Sequence, residues 1–168
     1  TAEYEDSLGR LRNYTIKLSS GEDNRINVTQ ATLNIETLNV APTEDPTLSR
    51  LTVTTIGSDQ VIEQITKQLN KLIEVVKLVD LTEGDHITRE LMLVKIRAMG
   101  QRREEVKRLV DIFRGQIIDL TNSAYTVQMV GDQQKLDAFI EIVGEAYVME
   151  VVRSGVCGIA RSDKTLSI

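Results

Sequence analysis

The sequence predicts an α+β chain of two ferredoxin-like βαββαβ units. Three observations carry this expectation. Short β-branched runs alternate with stretches of helical period. The order strand, helix, strand, strand, helix, strand is complete in the second half. A polar stretch around one glycine, Leu81-Thr-Glu-Gly-Asp-His-Ile87, separates that half from a first half of similar order, so it is expected to be a linker.

The second half is the plainer of the two. Glu90 to Ala98 opens as an apolar run and is expected to be a strand. Gln101 to Phe113 has Val106, Leu109, Val110 and Phe113 on one side and charged residues on the others, which is an amphipathic helix ended by Gly115. Gln116 to Leu120 and Tyr125 to Val130 are strands joined by the polar turn Thr121-Asn-Ser123. Gly131-Asp132 opens a helix with the stripe Leu136, Phe139, Ile140 and Val143, and Tyr147 to Arg153 closes the set as a strand.

In the first half, Tyr14 to Leu18, Asn34 to Val40 and Leu51 to Ile56 are expected strands. Gly57 breaks the third. Ser58 is a candidate N-cap for a helix with Asp59 in its first turn and a stripe of Val61, Ile62, Ile65, Leu69, Leu72 and Ile73. Glu74 to Asp80 is the fourth strand. The first helix falls on Asp23 to Thr32, where Ile26 and Val28 alternate like a strand and Asn and Thr favour helix poorly, so a short or irregular segment is expected. Domains of 1–81 and 88–168 follow. Sheets with helices on one face leave the other face and the edges uncovered, so pairing into a homodimer is the physical expectation.

Bulk properties narrow the function classes. Hydrophobic residues make up 41% of the 168 and charged residues 27%, which suits a globular domain, and with no Trp the core must be aliphatic. A net charge of −5 argues against a nucleic-acid surface. One cysteine, Cys157, excludes an intramolecular disulfide and a multi-cysteine metal site. No apolar run is of membrane-spanning length, and Thr1-Ala-Glu-Tyr-Glu-Asp6 lacks the order of a secretion signal, so a cytoplasmic, membrane-free protein is expected. With no initiator Met, the start is expected to be processed, truncated or incompletely recorded.

Nothing in the pattern assembles catalytic or metal-binding groups. His86 has no nucleophile or ligand at a useful spacing and is expected to be a solvated linker residue. Cys157, near Arg153, is expected to be a buried or incidental small residue. Glu44-Asp45 lies in a Pro-flanked turn and Glu104-Glu105 on a charged helix face, so neither pair converges on one cleft. Arg102, Arg103, Lys107 and Arg108, interleaved with those acids, are expected to form a solvated face. No catalytic residue, no metal ligand and no cofactor is assigned to the chain.

The run Asn34-Ile-Glu-Thr-Leu-Asn-Val-Ala-Pro-Thr-Glu-Asp-Pro-Thr-Leu-Ser-Arg50 resembles the signature of the small regulatory subunits of acetohydroxyacid synthase, also called acetolactate synthase. Glu63 to Ile73, Arg89 to Ile96, Asp111 to Asp119, Lys135 to Phe139 and Val152 to Gly155 continue the resemblance in the family's order. It implies an N-terminal amino-acid-binding domain of the ACT type followed by a second ferredoxin-like domain. It further implies a homodimer through the first domain, valine or a related amino acid bound at that seam, and association with a large catalytic subunit. That subunit would hold the thiamine diphosphate, flavin and magnesium. The effector site the resemblance implies involves Asn34, Ile35, Glu36 and Ala41 on one strand, and Gly21 in a loop before a helix. Residues 1–33 depart from the family's pattern: Gly21 and Asn24 are the right residue types in the wrong order. Two readings stay open, a subunit that confers feedback inhibition and a valine-insensitive activating subunit that has lost the ligand site.

Overall fold

The structure, a computed structural model, describes residues 10–19, 35–73 and 75–166. The expected helix over Asp23 to Thr32 lies outside the described residues. Packing divides the chain into two units. The first takes the residues up to Ile87 and those from Val156; the second is Thr88–Gly155.

The first unit's elements come first in the chain. They are β1 (Arg10–Ser19), β2 (Ile35–Pro42), β3 (Leu48–Gly57), α1 (Asp59–Leu69) and β4 (Val75–Asp80). The strands form a four-stranded antiparallel sheet in the order β2-β3-β1-β4. A tight turn joins β2 to β3: Asp45 Oδ1 accepts the Thr47 backbone N–H at 2.9 Å, and the Thr43 N–H reaches Leu48 O at 3.0 Å. Leu51 and Val53 of β3 pack against Ile62 of α1, with Leu69, Val75 and Leu78 around them. The helix stops earlier than its apolar stripe suggests. Leu72 and Ile73 follow its end, and Ile73 is 96% exposed, so it adds nothing to this core.

The segment Leu81 to Ile87 is structured rather than a plain linker. Asp80 caps a 3-10 turn at Leu81–Glu83 by accepting the Thr82 N–H at 2.9 Å, which lets Leu81 bury its side chain. His86 already belongs to β5 (His86–Arg97).

The second unit continues with α2 (Arg102–Ile112), β6 (Gln116–Leu120), β7 (Ala124–Gly131), α3 (Gln133–Val143) and β8 (Val148–Arg153). Its strand order is β6-β7-β5-β8, the same path as in the first unit. Alternate residues of β5 and β7, namely Met92, Val94, Ile96, Val127 and Met129, meet Val106 and Val110 of α2 and Leu136, Phe139 and Val143 of α3 in one closed core. Phe113 meets Phe139 edge to face with ring centroids 5.3 Å apart. Asp132 caps α3 by accepting the Lys135 N–H at 2.9 Å, and Gly144, at φ 85°, ends it.

At the end of α2 the left-handed residue is Arg114, at φ 54°, not the expected Gly115. Gly115 serves a different need. A Cβ there would sit 3.0 Å from Met129 Cε and 3.3 Å from both Gln128 O and Val110 Cγ1, so any larger residue would push these neighbours back by a few tenths of an ångström.

The sequence assigns 88–168 to the second domain, but packing ends that unit at Gly155. From Val156 the chain belongs to the first unit and forms β9 (Cys157–Ala160), a strand not expected from the sequence. β9 pairs with β5, whose opening residues His86 and Ile87 count with the first unit. Val156 is buried, and its N–H points to Thr37 Oγ1 at 3.5 Å, which in turn donates to Thr54 Oγ1 at 2.9 Å. The face of the first sheet that carries Thr37 and Thr54 is thus not left open, as expected, but meets the returning chain.

Candidate functional site

The sequence points to β2 as the functional strand. It is the edge of the first sheet, paired with β3 on one side only among the described residues. The register sets Leu38 opposite Val53 and Val40 opposite Leu51, with a bulge between Ile35 and Thr37. Ile35, Leu38 and Val40 therefore share the face of the sheet that holds the α1 core, yet stay 48%, 48% and 52% exposed. An edge strand with an exposed apolar stripe is a template for pairing.

Of the residues expected at an effector site, Asn34 and Gly21 lie outside the described residues. Ile35 and Glu36 open β2 beside the bulge, and both are exposed. Ala41 stands at the other end, exposed and opposite Arg50. At about 3.3 Å per residue, Ile35 and Ala41 are roughly 20 Å apart along the strand. Within one copy they do not converge on a ligand the size of an amino acid.

The other face of the same sheet holds a cavity of about 720 Å³. All its lining residues belong to the first unit. Thr43 and Glu44 come from the turn after β2, Arg50 from β3, Lys77 and Val79 from β4, and Ile159, Ala160 and Lys164 from the returning chain. Arg50 Nε is removed from solvent and has no hydrogen-bond partner among the described residues. Sequence reasoning missed Arg50. Its signal is a lone cation in the Thr- and apolar-rich run Leu48 to Ile56.

The remaining polar residues hold the fold. Glu90, 3% exposed, accepts from Arg153 Nη2 at 2.7 Å, and Arg153 Nη1 reaches Asp137 at 2.6 Å. Burial acts to lower the Arg153 pKa, but the hydrogen bonds and charges of Glu90 and Asp137 outweigh it and raise it. The α2 cations are not all a solvated face. Arg102 donates to Val143 O at 2.5 Å and lies 4.2 Å over the Tyr147 ring, while Arg103 donates to Thr121 O at 2.8 Å and lies 4.5 Å over Tyr125. These two clamp the C-terminal end of α3 and the β6–β7 turn; Lys107 and Arg108 are exposed as expected. His86 Nδ1 lies 2.9 Å from Gly84 O, and its side chain is part-buried in β5 instead of solvated in a linker. Cys157 is exposed, not buried. Among the described residues no His, Cys, Asp or Glu group is arranged to hold a metal ion, and no helix is long and apolar enough to cross a membrane.

Two sheets of the order 2-3-1-4 place the chain among proteins built from small ferredoxin-like domains. Residues 27–77 match the family model for the AHAS small subunit-like ACT domain, and residues 89–162 match that for the small subunit of acetolactate synthase. The chain is 56% identical over 134 residues to the acetolactate synthase isozyme 3 small subunit of Escherichia coli (strain K12), covering 79% of this chain and 82% of that one. It is 51% identical over 138 residues to the acetolactate synthase small subunit of Haemophilus influenzae, covering 82% and 85%. A crystal structure of the acetolactate synthase small subunit from Thermotoga maritima superposes with a TM-score of 0.83 at 32% identity, covering 92% of this chain and 99% of that one. The chain belongs to the acetolactate synthase small-subunit family, and its first unit is an ACT domain. It is accordingly a small subunit of the regulatory, ACT-bearing kind.

Proposed function

We propose that the chain binds valine or a related branched-chain amino acid across a homodimer of its ACT domain and so makes acetolactate synthesis by the large subunit sensitive to its end product. The observation that carries this reading is the exposed apolar stripe Ile35, Leu38 and Val40 on the open edge of β2. Two copies pairing antiparallel through β2, centred on Leu38, bring Ile35 of one level with Ala41 of the other. The residues that stand roughly 20 Å apart in one copy then meet across the seam. Asn34 can offer its amide to the ligand's carboxylate or ammonium group. The thiamine diphosphate, flavin and magnesium of the reaction belong to the large subunit.

Control is linkage. An amino acid bound at the seam favours one arrangement of the dimer, and the catalytic subunit binds or responds to that arrangement differently. One methylene is worth about 1–3 kcal/mol in an apolar pocket, so leucine and isoleucine compete with valine less than tenfold to some two-hundredfold more weakly.

A second reading has its own support. The ACT model matches from residue 27 and leaves outside the match residues 1–26, the larger part of the stretch 1–33 that departs from the family's pattern. A chain altered there associates and activates but does not sense. Acetolactate production by a matching large subunit, with and without this chain across a valine titration, separates the two. Activation with inhibition supports sensing, activation that valine leaves untouched supports the second reading, and no activation refutes both.

A further inference from the structure

The cavity behind the first sheet is a second binding site, on the face opposite the exposed stripe of β2. Its chemistry comes from the strand register. Lys17 of β1 stands directly opposite Arg50 of β3 and directly opposite Lys77 of β4. Arg50 and Lys77 both line the cavity. Lys164, on the returning chain, lines the same cavity, and Glu44 is the only acid among its described lining residues. Arg50 Nε, buried and without a hydrogen-bond partner among the described residues, is an N–H donor held out of water. Beside these polar groups lie Val79, Leu81, Ile159 and Leu166, which offer an apolar wall. Apolar walls with a few placed polar groups characterise small-molecule sites, and about 720 Å³ lies within the size range of such sites.

We infer that this cavity binds a small organic anion, with its carboxylate or phosphate group between Arg50, Lys77 and Lys164 and its apolar body against Val79, Leu81 and Ile159. The guanidinium and ammonium groups give the anion charge-assisted hydrogen bonds. Because Lys164 and Ile159 come from the returning chain while Arg50 and Lys77 come from the sheet, occupancy also fastens that segment to the first unit. Among the described residues, the site shares no lining residue with Ile35, Glu36 and Ala41 of the proposed effector set.

The test is calorimetric titration of the full chain with three probes: hexanoate, phenyl phosphate, and hexanamide as the neutral partner of hexanoate. Either anion is expected to bind, more weakly as salt is added, while hexanamide does not. The tighter of the two anions assigns carboxylate or phosphate. Lys164→Met, on an exposed position where folding is not at stake, is expected to weaken the anion by about ten- to a hundredfold, as is Arg50→Met. Saturating valine leaves anion affinity unchanged. Equal binding of hexanoate and hexanamide, unaltered affinity in Lys164→Met, competition by valine, or no binding of either anion overturns the inference.

Discussion

The two units follow one strand path but close their cores differently. In the second, α2 and α3 cover one face of the sheet, and Met92, Val94, Ile96, Val127, Leu136 and Phe139 are essentially without solvent exposure. In the first, the described core is the smaller cluster around Leu51, Val53 and Ile62, and the edge strand β2 keeps its apolar residues in water. Both units nonetheless leave apolar residues of edge strands in water: Ile35, Leu38 and Val40 on β2, and Ile118, Leu120, Val151 and Val152 on β6 and β8. Apolar area left open on an edge strand has a cost unless something pairs with it, so neither unit is closed at its edges.

The contrast can be broken most forcefully at the closed core. Phe139→Ala is expected to cost about 3–5 kcal/mol in urea unfolding of the full chain; a loss under about 1 kcal/mol would mean the second unit is no tighter than the first. Next comes the buried ion pair. Glu90→Ala leaves Arg153 with Asp137 only and is expected to cost about 2 kcal/mol by the same measurement. Gly115→Ala forces Met129 and the end of α2 apart and is expected to cost about 1 kcal/mol.

The smallest effect lies on the exposed face of α1 in the first unit. Glu63 is joined to Lys67 at 2.6 Å, and that hydrogen bond, with the lysine's charge, lowers its pKa below the usual 4.5. A lowered carboxylate pKa adds stability above its unfolded value and loses it as pH falls through the folded value. The melting temperatures of wild type and Glu63→Gln are therefore expected to converge as pH drops below 4.5. A difference that widens there would contradict the assignment.

Periodicity made most of this architecture legible. The stripe Leu136, Phe139, Val143 and the run Glu90 to Ala98 name core residues correctly, because one face of each element is buried and the other is not. Where it failed, a longer-range contact decided. Ile73 fits the α1 stripe, but the helix ends at Leu69 before reaching it. Arg102 and Arg103 sit among acids in sequence, yet two carbonyls and two aromatic rings distant along the chain hold them. β9 and the end of the second unit at Gly155 depend on where the chain returns, which no local pattern records. At the candidate site, the resemblance marked β2. The spread of Ile35 and Ala41 along it follows from strand geometry, and the gathering of Arg50, Lys77 and Lys164 around one cavity is visible only in the fold.

The most direct measurement is sedimentation of the full chain together with valine calorimetry, for wild type and for Leu38→Lys, which places a charge in the middle of the open edge. The expected result is a wild-type dimer that binds valine and a folded variant that is monomeric and does not bind it. A variant that still dimerises and binds valine with wild-type affinity would contradict the assignment of the β2 edge as the sensing seam.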